Sequence, residues 1–318
     1  MFNKYLRYYP WWMQLLLLVM MLLILSNFVL VLASTFIPKL TGLPLSQILE
    51  INKDSKGAVV QDAIWVQGVI HLCTFLIPSL LFAYLTHPRP LHYLGLRPPG
   101  RKIHWLLVAS MAIGAIPVFI ALLSFMHLFH LGNWADSMQN KIDGMEIPFL
   151  DIRSFNGFIF VLTIMSLVPA LGEEMLFRGI LMRIAQKRNK GVMAPIIITA
   201  FIFSAIHFEP YGFLSIFAAG LLLGAIYYLT GSLWCSILFH FLNNGIQVFF
   251  EFLGSNNKAV KSIMESNSLP AYIPICGAII VAISFFLLYK TKTPLPKCWE
   301  NDFSPEEIEM EKQDSPMQ

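Results

Sequence analysis

Two adjacent glutamates and an arginine interrupt an otherwise apolar stretch, ALGEEMLFRGI at residues 170–180. Two histidines, His207 and His240, interrupt later apolar runs, with Asn244 as a polar companion. Ionisable groups in such runs are costly and usually face a partner or a water-filled cavity. At about 100° per residue, Glu174 and Arg178 share one helix face as an i, i+4 pair, the spacing of a mutual ion pair. Glu173 points about 100° away and has no such local partner. The same spacing sets Phe203 one turn from His207 in FSAIH and His240 one turn from Asn244 in HFLNN.

The residue types suggest water chemistry. A carboxylate without a salt-bridge partner, beside imidazoles in a low-dielectric cavity, is suited to act as a general base near neutral pH. Glu173 with His207 and His240 is also a donor set that can ligate zinc and activate its water. The amide of Asn244 can donate to an oxyanion. Water activation with oxyanion support implies hydrolysis of a carbonyl compound, most simply a peptide bond.

The elements that must position these groups follow from composition. Of 318 residues, 56% are hydrophobic and 13% charged, with a mean hydropathy of +0.64, against about 25% charged in a soluble domain. The expected fold class is all-α, a polytopic membrane protein. A bilayer core needs roughly 20 apolar residues per helix, and about eight runs are candidates: 11–37, 60–86, 104–130, 155–183, 192–208, 212–229, 233–253 and 271–290. Helices four to seven carry the polar residues. Counted along the helices, Glu173, His240 and Asn244 lie about 15, 13 and 19 Å deep, and His207 about 18–25 Å. Pro169 is expected to kink the long fourth helix just before Glu173. With the N-terminus inside, the inside segments hold twice as many lysines and arginines as the outside ones, so both termini are expected in the cytoplasm. The net charge of +3 forms no stripe for nucleic acid.

The three patterns resemble those of the CAAX protease and bacteriocin-processing family of intramembrane proteases, which includes the Rce1-type CAAX prenyl endopeptidases. EExxxR matches EEMLFR at 173–178, FxxxH matches FSAIH at 203–207 and HxxxN matches HFLNN at 240–244, in the family's order across about 155–253. The resemblance implies that Glu173 and His207 activate the attacking water and that His240 and Asn244 support the oxyanion. Glu174, Arg178 and Phe203 would support the site. The family is usually classed as metal-dependent, so zinc held by Glu173, His207 and His240 and a metal-free glutamate and histidine mechanism both stand as expectations. The substrate would be a membrane-associated peptide, lipidated and CAAX-like or otherwise, and the expected location is a bacterial inner membrane.

The chain divides into 1–153 with helices one to three, a catalytic core at 154–253, helix eight within 254–293, and a polar acidic tail at 294–318. His71, His87, His92, His104, His127 and His130 have no partner at useful spacing and read as core or interfacial residues. Gly220 and Gly224 form a GxxxG for close helix packing. Four scattered cysteines without CxxC spacing indicate neither a disulfide framework nor a zinc knuckle. The alternative function is a non-proteolytic membrane scaffold or bacteriocin self-immunity factor, for which Glu173 need not be ionisable.

Overall fold

The computed structural model describes residues 5–52, 54–188, 191–258, 260–261 and 270–295. The described residues form helices and connections with no strand. Among the described residues seven helices are long and apolar enough to cross a membrane: α1 Trp11–Thr41, α2 Ala58–Thr86, α3 Ile103–Met126, α5 Phe155–Arg188, α7 Phe213–Thr230, α8 Leu233–Asn256 and α9 Tyr272–Lys290. Further helices include α4, Asn133–Leu150, and α6, Met193–Ala205, and the short turns of helix Leu45–Leu49 and Pro90–Tyr93.

Two expectations are corrected. The run at 192–208 was counted as an eighth span, but α6 has 13 residues, about 20 Å at 1.5 Å per residue, against a hydrocarbon core of about 30 Å. The chain turns away after His207 because Phe208 adopts a left-handed backbone, φ 55°, among the described residues the one non-glycine with positive φ. The segment 131–154, expected as a connection, contains the 18-residue helix α4, whose Gln139 Nε2 donates to Asp143 Oδ1 at 2.8 Å one turn on. The acidic tail expected from 294 lies, beyond Leu295, outside the described residues.

The bundle centres on α5, α7 and α8. Phe82, Leu94, Phe177, Ile180 and Tyr227 are buried in one cluster around α5, and Val108, Met111, Ile226 and Phe239 in another that joins α3, α7 and α8. By contrast, α1 buries only Gln14 and Leu18, and its outer apolar residues form a face suited to lipid. The GxxxG of α7 packs closely on α6. A Cβ on Gly220 would lie 2.9 Å from the Cα of Ala200, so only glycine permits this approach.

One end of the bundle gathers the ends of most elements. The Arg188 guanidinium lies over the Trp11 ring at 5.2 Å, and that of Arg183 over Tyr93 at 4.7 Å. Leu233 N donates to Gly95 O at 2.8 Å, Arg97 Nε to Gly231 O at 2.9 Å, and Thr293 N to Leu229 O at 2.8 Å. Trp11 and Thr293 therefore lie on the same side of the bundle. The opposite end carries α4, tied by a 2.6 Å bond from Tyr211 to Asp136.

Candidate functional site

The polar residues of α5 sit between two changes of winding. Pro169 has no N–H to donate, and its ring crowds the carbonyl four residues back. The π-helical turn Thr163–Leu167 widens the helix just before it, so the irregularity expected at Pro169 takes this form. A second π-helical turn, Met175–Leu181, starts immediately after Glu174.

Arg178 is fully buried, and its guanidinium is held by polar and aromatic contacts. Its Nη1 donates to Glu174 Oε1 at 2.8 Å, its Nη2 to Gly220 O at 3.2 Å, and its guanidinium lies 4.7 Å from the centroid of the Phe203 ring. The close packing at Gly220 is what brings that carbonyl within reach.

From α8, His240 Nδ1 meets the same Glu174 oxygen at 3.0 Å. A carboxylate paired with arginine accepts, so Nδ1 is the donor. The other nitrogen, Nε2, is thereby turned to Glu173, 3.9 Å from Oε2. Glu174 thus links Arg178 to His240 and fixes which edge of the imidazole faces Glu173.

His207 is fixed by the same logic at the end of α6. Its Nδ1 lies 2.6 Å from the carbonyl of Phe203, one of the last carbonyls of the helix, which have no intrahelical partner of their own. A carbonyl accepts, so Nδ1–H donates and Nε2 is left free. The Phe203 ring stands between the two imidazoles, 4.6 Å from His207 and edge-on to His240 at 6.1 Å.

Asn244 lies one turn beyond His240 and is half-buried, its Oδ1 accepting from Asn243 Nδ2 at 3.3 Å. The structure thus brings Glu173, Glu174, Arg178 and His240 into direct contact. His207 stands one aromatic ring away, and Asn244 follows His240 along α8.

Two residues outside the sequence motifs join the site. His71 of α2, grouped with histidines expected to have no partner, places Nε2 3.4 Å from Glu173 Oε1. No sequence spacing marks it, because the contact is made between helices. Glu209, in the connection after α6, lies near His207 and Asp143. Burial pushes its carboxyl above the usual carboxylate range, with His207 opposing and Asp143 adding to the shift. The other histidines serve local structure: His104 Nε2 lies 3.0 Å from Thr291 O, and the His127 ring stacks on Tyr211.

The zinc expectation can be tested against these donors. Among the described residues no three His, Cys, Asp or Glu side chains converge as a metal-binding group. His207 and His240 each donate through Nδ1, which leaves Nε2 as the ligating nitrogen of each; of these two only His240 turns it to Glu173, at 3.9 Å, and His71 turns its own Nε2 there at 3.4 Å. As arranged, Glu173, His207 and His240 do not converge as a three-ligand zinc centre.

Residues 155–246 match the family model of Rce1-like type II CAAX prenyl endopeptidases. The matched segment runs from the start of α5 into α8 and contains all three motifs, while His71 lies outside it. Neither a curated protein nor a solved structure gives a significant match.

Proposed function

We propose that this membrane protein is an intramembrane endopeptidase that hydrolyses a peptide bond near the membrane-embedded part of its substrate. The observation that carries the reading is a buried carboxylate, Glu173, bracketed by imidazole nitrogens at 3.4 and 3.9 Å, while its neighbour Glu174 neutralises Arg178. The match to the endopeptidase family over the same helices supports it.

In this mechanism Glu173, assisted by His207, removes a proton from water as the water oxygen adds to the scissile carbonyl carbon. The carbonyl π electrons move onto oxygen. Asn244 donates to this oxyanion, as does His240 through Nε2 when that nitrogen carries a proton, the imidazolium being balanced by Glu174. Collapse expels the amine, which takes the proton held by Glu173.

An apolar cavity of about 500 Å³ between α1 and α2, lined in part by Phe36, Trp65, Val69, Ile70 and Cys73, offers space for the apolar part of such a substrate. The gathered end of the bundle carries Arg97, Arg183 and Arg188, which favours its placement in the cytoplasm.

The test compares membrane and secreted peptides from cells expressing wild type or Glu173→Gln at matched levels. Fragments unique to wild type are expected, with a loss of about 100-fold or more in the variant, the scale of a removed general base. Identical profiles from two folded proteins would refute the reading and favour a scaffold or immunity role. Chelation that abolishes the fragments, with restoration by added zinc, would refute the metal-free chemistry.

A further inference from the structure

We propose that His71 is the positioning residue of Glu173, a role that rests on the endopeptidase reading. Glu173 has two equivalent oxygens, and rotation about its last torsion exchanges them. The structure sets a nitrogen against each: His240 Nε2 at 3.9 Å from Oε2, and His71 Nε2 at 3.4 Å from Oε1. The His71 nitrogen is buried, has no hydrogen-bond partner and lies 3.4 Å from this carboxylate. A small turn of either side chain closes this 3.4 Å approach into a hydrogen bond, and as a donor to Oε1 the nitrogen then holds the carboxylate plane and leaves Oε2 for the attacking water. His71 acts through Glu173 and touches neither water nor peptide.

Local structure on both helices serves this contact. The His71 ring stacks on Phe75, with centroids 4.5 Å apart and planes at 27°, which fixes its direction. The π-helical turn Leu72–Leu76 begins with the next residue, ahead of Pro78, as the one in α5 precedes Pro169. π-Helical turns recur at functional sites because they redirect side chains within a helix. On the facing helix, Gly172 directly precedes Glu173. A Cβ there would lie 3.0 Å from Phe75 Cβ and 3.7 Å from His71 Cδ2, so the missing side chain permits α2 to approach.

The role requires a hydrogen-bond donor at the Nε2 position rather than an imidazole, and this separates it from packing. Glutamine places an amide N–H close to where His71 carries Nε2. The experiment expresses wild type, Glu173→Gln, His71→Phe, His71→Ala and His71→Gln at matched folded levels and quantifies the Glu173-dependent fragments. His71→Phe and His71→Ala are expected to reduce fragment yield about tenfold to a hundredfold, the cost of a misplaced catalytic group. His71→Gln is expected to restore most of it.

Full yield from either donor-free variant, beside none from Glu173→Gln, would overturn the role of His71 and leave the endopeptidase reading standing. Loss in all three His71 variants would overturn positioning by a donor. Identical profiles from wild type and Glu173→Gln would overturn the endopeptidase reading, and the role with it. If neither donor-free variant folds, His71→Gln decides alone: fragment yield near that of wild type at matched folded level supports the donor role, and loss of the fragments from the folded variant overturns it.

Discussion

Arg178→Ala is the most informative perturbation of stability. Arg178 and Glu174 are both fully buried, 2.8 Å apart, with Gly220 O and the Phe203 ring as further partners of the cation. Deleting the arginine leaves a carboxylate with no counter-charge inside the bundle. Breaking a buried pair from one side costs about 3–5 kcal/mol. At about 1.4 kcal/mol per tenfold change in an equilibrium constant, that is a hundredfold to several thousandfold shift toward the unfolded state. Glu174→Gln alone strands the arginine and should cost a similar amount, although its amide oxygen still accepts from His240. The double variant buries neither charge and is expected to recover about 3 kcal/mol relative to the sum of the singles, the upper range of couplings between groups in contact. Arg178→Lys should fall between wild type and the alanine variant, because an ammonium still supplies the counter-charge to Glu174 but cannot also bond Gly220 while lying flat on Phe203. Equilibrium unfolding of purified protein in mixed micelles measures all four variants. Single variants within about 1 kcal/mol of wild type, or strict additivity in the double, would refute the argument that this pair stabilises through mutual neutralisation.

The remaining expectations concern packing and the connection after α6. Gly220→Ala should cost about 1–3 kcal/mol, because its new methyl meets the Ala200 backbone at 2.9 Å, whereas Gly224→Ala should cost less, since it meets only the Ile196 side chain at 3.1 Å; thermal unfolding gives the ranking. Burial raises the carboxyl of Glu209, which faces His207 and Asp143, so its contribution to stability is full below the unfolded carboxylate range and is lost as pH rises through its folded range. Glu209→Gln should therefore gain stability relative to wild type near pH 7, and the gain should disappear toward about pH 4; a gain independent of pH would refute this linkage.

Helical spacing carried a large part of the site but stopped at the edge of each helix. The i, i+4 rule set Glu174 beside Arg178 and sent Glu173 elsewhere, and the structure has the first two in contact and the third among imidazoles. Such a rule concerns neighbours within one helix. The partners of Glu173 come from α2 and α8, and nothing local to His71 indicates that Gly172 leaves room for it. The shortness of α6 is hidden in the sequence for a related reason. An apolar count does not register a left-handed residue such as Phe208, which turns the chain after His207. Composition hid α4 because a helix that does not span has no need of an apolar run, only of one apolar side.

The π-helical turns at Leu72–Leu76, Thr163–Leu167 and Met175–Leu181 also alter the numerical phase of their helices. Such a turn closes its hydrogen bond over five residues instead of four and so holds one residue more than the turn it replaces. A wheel drawn at constant pitch along α5 therefore falls out of step twice, once on each side of Glu173. Single-residue deletions should consequently be unequal in effect. One inside Thr163–Leu167 can relax that turn to ordinary α-helix while Glu173 keeps its bearing on α2 and α8. One between Val168 and Gly172 has no surplus residue to absorb it and would swing the carboxylate about 100° away from both imidazoles.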